Sequence, residues 1–75
     1  MMLTTLKNIL ALVMPELDTS GVTEETRIKE DLGFDSLAML MLAMEIENYF
    51  GFQFTEFVRF NTVGDACRYI EAHKQ

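Results

Sequence analysis

The chain has one cysteine, one histidine and one proline. Cys67 therefore has no partner for an internal disulfide, and Cys67 with His73 falls well short of a zinc ligand set. Basic residues are also scarce, with 6 Lys and Arg against 12 Asp and Glu and a net charge of −6. A surface this acidic repels a phosphate backbone, which excludes nucleic acid and favours basic protein partners. No apolar run approaches the ~18 residues of a membrane span. The opening Met1-Met2-Leu3-Thr4-Thr5-Leu6-Lys7 lacks the basic region and cleavage site of a signal peptide, so a cytoplasmic location is expected. Repeats, low-complexity tracts and Pro/Gly/Ser linkers are absent, and strand signals are weak.

What is present is a small globular composition: 75 residues, 49% hydrophobic and 24% charged. That is room for one domain, residues 1–75, and it argues against disorder. A core of this size supplies only a few kcal/mol of net stability. The unusual count is six methionines, three of them (Met39, Met41, Met44) within six positions.

The periodicity is helical. Leu3, Leu6, Leu10 and Val13, with Ile9 beside them, lie on one face of a first helix over Leu3–Met14, which Pro15 ends. Glu16 to Asp35 is a long connection with turn formers (Asp18, Ser20, Gly21, Gly33) and scattered apolar residues (Leu17, Val22, Ile28, Leu32, Phe34). Those apolar residues can pin the loop to the core, and Ile28–Leu32 allows a helical turn. Ordered loops of this length are often functional. The second helix is expected over Ser36–Phe50, capped by Asp35 and closed by Gly51. At ~100° per residue, Met39, Leu42, Ala43, Ile46 and Phe50 form its core face, with Tyr49 at the edge. A short third helix is expected near Glu56–Phe60. The last begins at Thr62, where Thr62-Val63-Gly64-Asp65 approximates a capping box. Val63, Ala66, Cys67 and Ile70 form its apolar face. The expected fold is all-α: a small four-helix bundle, three main helices and a short third, with a long loop between helices 1 and 2.

Enzymatic chemistry finds little support. Ser36 lies beside Asp35, but His73 stands at a fraying terminus, and a Ser-His-Asp triad needs a rigidly held imidazole. Cys67 reads as a small core residue. Asp18-Thr19-Ser20-Gly21 has too few carboxylates for a calcium loop, and no metal site is expected. There remains Asp31-Leu32-Gly33-Phe34-Asp35-Ser36-Leu37. Read structurally, Gly33 makes a turn, Asp35 caps a helix and Ser36 is an ordinary first-turn residue. Read functionally, Ser36 stands at a helix N-terminus, whose N–H groups suit an anionic phosphate. Its hydroxyl is placed to be modified rather than to attack.

Leu32-Gly33-Phe34-Asp35-Ser36-Leu37 resembles the L-G-x-D-S-L signature of acyl carrier proteins. Glu45-Ile46-Glu47-Asn48-Tyr49-Phe50-Gly51 resembles the end of that family's second helix. Thr62-Val63-Gly64-Asp65-Ala66, followed by Tyr69-Ile70, resembles its fourth. The likeness spans essentially the whole chain. It implies a freestanding carrier without catalytic activity. Ser36, flanked by Gly33, Asp35 and Leu37, would bear 4′-phosphopantetheine, transferred from coenzyme A by a holo-synthase. The arm would hold acyl groups as thioesters for acyl-transferring and condensing enzymes. The resemblance also implies that an acyl chain can fold back between the helices, with Leu42, Ile46, Phe50, Phe54, Val63 and Ala66 as candidate cavity walls. Ordinary core packing explains the same residues.

Two departures stand out. In typical bacterial fatty-acid carriers the helix after the serine is acidic, whereas positions 38, 41 and 48 here are Ala38, Met41 and Asn48. Only Glu45 and Glu47 are charged on this helix. Leu37, Met41, Met44 and Asn48 fall opposite its core face, an apolar stripe suited to docking or to self-association. The second departure is in Thr55–Phe60, which is about two residues shorter than the common pattern. There Phe54, Phe57 and Phe60 suggest a bulky wall near the arm. Fatty-acid or polyketide-type carriage ranks first. Aminoacyl or peptidyl carriage in a specialised pathway, and a non-carrier helical interaction protein, are the alternatives.

Overall fold

The computed structural model describes residues 2–51, 53–54 and 60–73. Three helices form among them: α1 over Met2–Val13, α2 over Ser36–Phe50 and α3 over Val63–His73. Of the short helix expected at Glu56–Phe60, residues 56–59 lie outside the described residues, and Phe60 itself is not helical. Among the described residues no strand forms beyond one isolated antiparallel bridge, Arg27 with Thr62.

Each helix starts and stops for local reasons. In α1 the stripe Leu6, Ile9 and Leu10 is buried. Met14 still donates to the Leu10 carbonyl at 2.9 Å, and Pro15 then ends the ladder. Asp35 caps α2 by accepting the Ala38 N–H at 2.8 Å. Phe34 before the cap and Met39 after it both join the core, the positions of a hydrophobic staple. Gly51 closes α2 with φ +75° and donates to the Glu47 carbonyl at 2.9 Å. The expected box at α3 is reciprocal: Asp65 N–H donates to Thr62 Oγ1 at 3.0 Å, and Thr62 N–H to Asp65 Oδ2 at 3.1 Å. That Thr62 N–H holds the Asp65 carboxyl below its ordinary value against the opposing effect of burial, and Arg68 adds to the lowering.

One core serves all elements. Leu6, Ile9 and Leu10 of α1, Leu42 and Ile46 of α2, and Val63, Ala66, Cys67 and Ile70 of α3 are buried together. The long loop adds Val22, Ile28 and Phe34. Such burial is worth roughly 1.5–3 kcal/mol for each large apolar side chain. Helix α1 packs on both α2 and α3, whereas α2 and α3 have no close backbone approach among the described residues.

The loop is also bonded to α3. The first N–H groups of a helix have no partner within it. Here Val63 N–H donates to the Thr26 carbonyl at 2.9 Å and Gly64 N–H to the Glu24 carbonyl at 2.7 Å. Ile28 N–H closes the set on the Asn61 carbonyl at 2.9 Å. The loop passes so close that a Cβ on Gly64 would stand 2.9 Å from the Glu24 carbonyl oxygen. Alanine in place of a helical glycine ordinarily stabilises by roughly 0.5–1 kcal/mol. At Gly64 the sign reverses, because the clash is with backbone. Gly64→Ala is expected to lose about 1–3 kcal/mol in urea unfolding. A variant as stable as the parent would show that the loop can move away at no cost.

Candidate functional site at the start of the second helix

The approach to α2 is a single helical turn closed by a glycine. Asp31 N–H donates to the Arg27 carbonyl at 2.9 Å and Gly33 N–H to the Lys29 carbonyl at 3.1 Å. Gly33 then takes φ +76°, which a side chain would resist. The carboxylate of Asp31 braces the turn by accepting the Arg27 N–H at 2.8 Å and its guanidinium at 3.1 Å. The Arg27 backbone bond, then the guanidinium, holds the Asp31 carboxyl below its ordinary value. Buried Phe34 anchors the next residue. The chain thus reaches Asp35 with its direction fixed, and Ser36 follows as the first residue of α2.

Ser36 is exposed. Beside it opens a cavity of about 250 Å³. Phe34, Met39 and Phe60 supply its apolar lining, and Lys29, Glu30, Asp35, Asn61 and Ser36 itself its polar lining. Three separate stretches of chain meet here: the turn, the head of α2 and the segment entering α3. Phe60 also packs on Tyr69, ring centroids 5.7 Å apart, and on Phe54 at 6.3 Å. Phe57, expected in the same wall, lies outside the described residues.

His73 stacks on Tyr69 at 4.0 Å and is not among the residues lining this cavity. Burial, with Glu24 and Glu71 adding to it, pushes the Cys67 thiol up and makes it a poor nucleophile. Among the described residues no group of His, Cys, Asp and Glu could hold a metal ion.

A family model described as a phosphopantetheine attachment site matches residues 4–70. The chain belongs to that family. Its members are carrier domains that bear 4′-phosphopantetheine covalently and meet modifying and partner enzymes. The surroundings of Ser36 fit such a group: an exposed serine that bonds to no base among the described residues and lines a cavity with one cationic, two acidic and several apolar neighbours.

The remaining expected site residues separate into groups. Leu37, Met41 and Met44 are 65%, 41% and 53% exposed. Leu40, which the sequence reading left out, joins them at 46%. Asn48 is exposed at the far end of the same side, while Ala38 and Glu45 are half-buried. Glu47 is half-buried and accepts the Phe54 N–H at 2.8 Å, so it braces the chain after α2. Leu42, Ile46, Val63 and Ala66 are fully buried in the common core, and Phe50 and Phe54 pack at its edge. None of these six lines the cavity beside Ser36. Lys29 and Asn61, which do, were not among the expected site residues.

Asp35 and Ser36 should respond differently to truncation. Asp35→Ala removes the cap and is expected to cost about 1 kcal/mol in urea unfolding, with Asp35→Asn restoring most of it. Ser36→Ala, at an exposed position, should stay within about 0.5 kcal/mol of the parent. A large loss from Ser36→Ala would give that serine a structural reason to be there.

Proposed function

We propose that Ser36 bears the phosphopantetheine arm and that residues 1–75 act as one carrier domain, without catalysis of its own. The observation that carries this reading is the setting of Ser36: exposed, first in its helix, held after a braced turn and opening on a cavity. The other serine of the chain, Ser20, sits in a turn where its N–H donates to Asp18 at 3.0 Å, outside any match to the signature. When bound, the arm supplies a thiol that holds an acyl group as a thioester. The residues of the chain hold Ser36 outward and offer the cavity. Phe34, Met39 and Phe60 give that cavity an apolar lining, which favours acyl intermediates of fatty-acid, polyketide or related lipid biosynthesis. A longer acyl chain would next meet Leu42 and Ile46, further along α2, with Phe50, Phe54, Val63 and Ala66, and would have to part them. The site of this work is taken to be the cytoplasm.

Docking is assigned to the exposed side of α2. Leu37, Leu40, Met41 and Met44 stand at i, i+3, i+4 and i+7, the anchor spacing of a helix laid in an apolar groove. The stripe begins at the residue after Ser36, so an enzyme that grips it has the serine at the edge of its grip. Charge contributes little at the contact, because Glu47 is engaged elsewhere and Glu45 is half-buried. Methionine suits such a surface because it adapts to different partners.

Incubation with coenzyme A and a broad-specificity phosphopantetheinyl transferase should add the mass of one arm to the parent protein and none to Ser36→Ala. An unchanged mass in the parent refutes carriage. Met41→Glu should raise the KM of the cognate acyl-loading enzyme for the loaded carrier about tenfold, a loss of ~1.4 kcal/mol. Raising salt should change the parent's KM little. Equal kinetics for the parent and Met41→Glu would remove the stripe from the docking surface.

A further inference from the structure

We infer that the cavity beside Ser36 is a binding site for the proximal part of the arm, with Lys29 as the counter-ion of its phosphodiester and Asn61 as a hydrogen-bonding partner for the amide that follows. This rests on Ser36 being the attachment point. The described residues include four Lys and Arg side chains: Lys7, Arg27, Lys29 and Arg68. Arg27 is committed to Asp31 and Arg68 to Asp65. Lys7 belongs to α1. Lys29 makes no ion pair among the described residues, and it lines the same cavity as Ser36.

The need for such a cation follows from its neighbours. Glu30 and Asp35 border the cavity too, and a phosphodiester on Ser36 adds a third negative charge among them. Asp35 is partly satisfied by the Ala38 N–H, but its charge remains. With no cation the arm would be driven outward. Lys29, which lines the same cavity, offsets that repulsion.

The segment before α3 matches the chemistry beyond the phosphate. The side-chain amide of Asn61 makes no hydrogen bond among the described residues, and Phe60 beside it is buried and apolar. The pantetheine chain alternates in the same way, with branched methyl groups followed by amides. The two segments are also held in register, because Ile28 N–H donates to the Asn61 carbonyl at 2.9 Å. Lys29 and Asn61 therefore keep their spacing before any ligand arrives. A cavity of about 250 Å³ falls below the roughly 300–1,000 Å³ of sites for whole drug-sized ligands, so it suits part of the arm and not the arm with a long cargo.

The test uses ¹⁵N-labelled protein before and after loading by a transferase, with intact mass recorded for each sample. Loading should move the amide resonances of Lys29, Phe60 and Asn61 as well as those of residues 35–37. Lys29→Ala and Lys29→Glu should at least halve the movement at Phe60 and Asn61, and Lys29→Arg should preserve it. Circular dichroism before loading establishes that each variant is folded, as expected for an exposed lysine. A full gain in mass with Phe60 and Asn61 unmoved overturns the arm site and leaves carriage intact. No gain in mass defeats carriage, and the arm site with it. Equal movement in the parent and Lys29→Glu leaves Lys29 with no part in holding the arm and overturns its assignment.

Discussion

The structure depends on the way the first turn of α3 is satisfied. A helix begins with donors that it cannot pair itself. In α3 the Thr26 and Glu24 carbonyls take two of them, Thr62 Oγ1 takes the third, and Ala66 N–H begins the ladder on the Thr62 carbonyl at 3.3 Å. Two of these acceptors belong to the long loop. The loop is thereby tied to a rigid element at the cost of no extra secondary structure. Once Thr26 and Glu24 are fixed, Val22 and Ile28 fall into the core on either side. Ile28 then registers the segment before α3 against the turn that leads to Ser36. Release of this contact would loosen the cavity wall, the approach to α2 and the burial of Phe34 together.

Helix α2 answers two demands that conflict. Its inner side, Leu42 and Ile46 with Met39 and Phe50 at the margin, must hold a core with few residues to spare. Its outer side carries Leu37, Leu40, Met41 and Met44 in water. Exposed apolar stripes at helical spacing invite association, and a stable monomeric surface ordinarily avoids them. The helix keeps one orientation because its ends are specified by polar contacts: Asp35 at one end, Gly51 at the other, and Glu47 tied to the Phe54 N–H. Those contacts do not depend on which side is apolar. They let the outer side be apolar while the inner side alone drives folding.

Much of this could be read in the sequence. The bounds of α2, its caps and the box at α3 follow from local rules, since Asp35, Gly51 and the Thr62–Asp65 pair act within a few residues of themselves. The place of Ser36 at the head of α2 was legible for the same reason. Leu40 was missed because the helical arithmetic favoured residues opposite the core stripe, whereas exposure also depends on what lies beside the helix. Glu47 read as a surface charge because its partner is the Phe54 N–H, seven residues further along the chain. Lys29 and Asn61 were missed for a stronger reason. They are brought together by a backbone bond between residues 28 and 61, and side-chain patterning carries no trace of such a bond. Gly64 looked like a spacer in a motif, and only the passage of the Glu24 carbonyl over it gives it a role.

Charge and apolar surface act over different distances. Much of the net −6 comes from Glu24, Glu25, Glu30, Asp31 and Asp35, which precede Ser36, and little from α2. Charges in water act over about 8–10 Å at physiological salt, far enough to bias an encounter and too weakly to define a contact. The stripe acts only on touching, where it excludes water and sets the angle of approach. Two copies of the chain each carry a net charge of −6, which opposes pairing of like surfaces. An exposed apolar stripe beside Ser36 is tolerable because that repulsion opposes self-association. Neutralising the loop acids would lower the repulsion between copies and leave the stripe free to associate, which ties the acidity of the loop to the methionines of the helix.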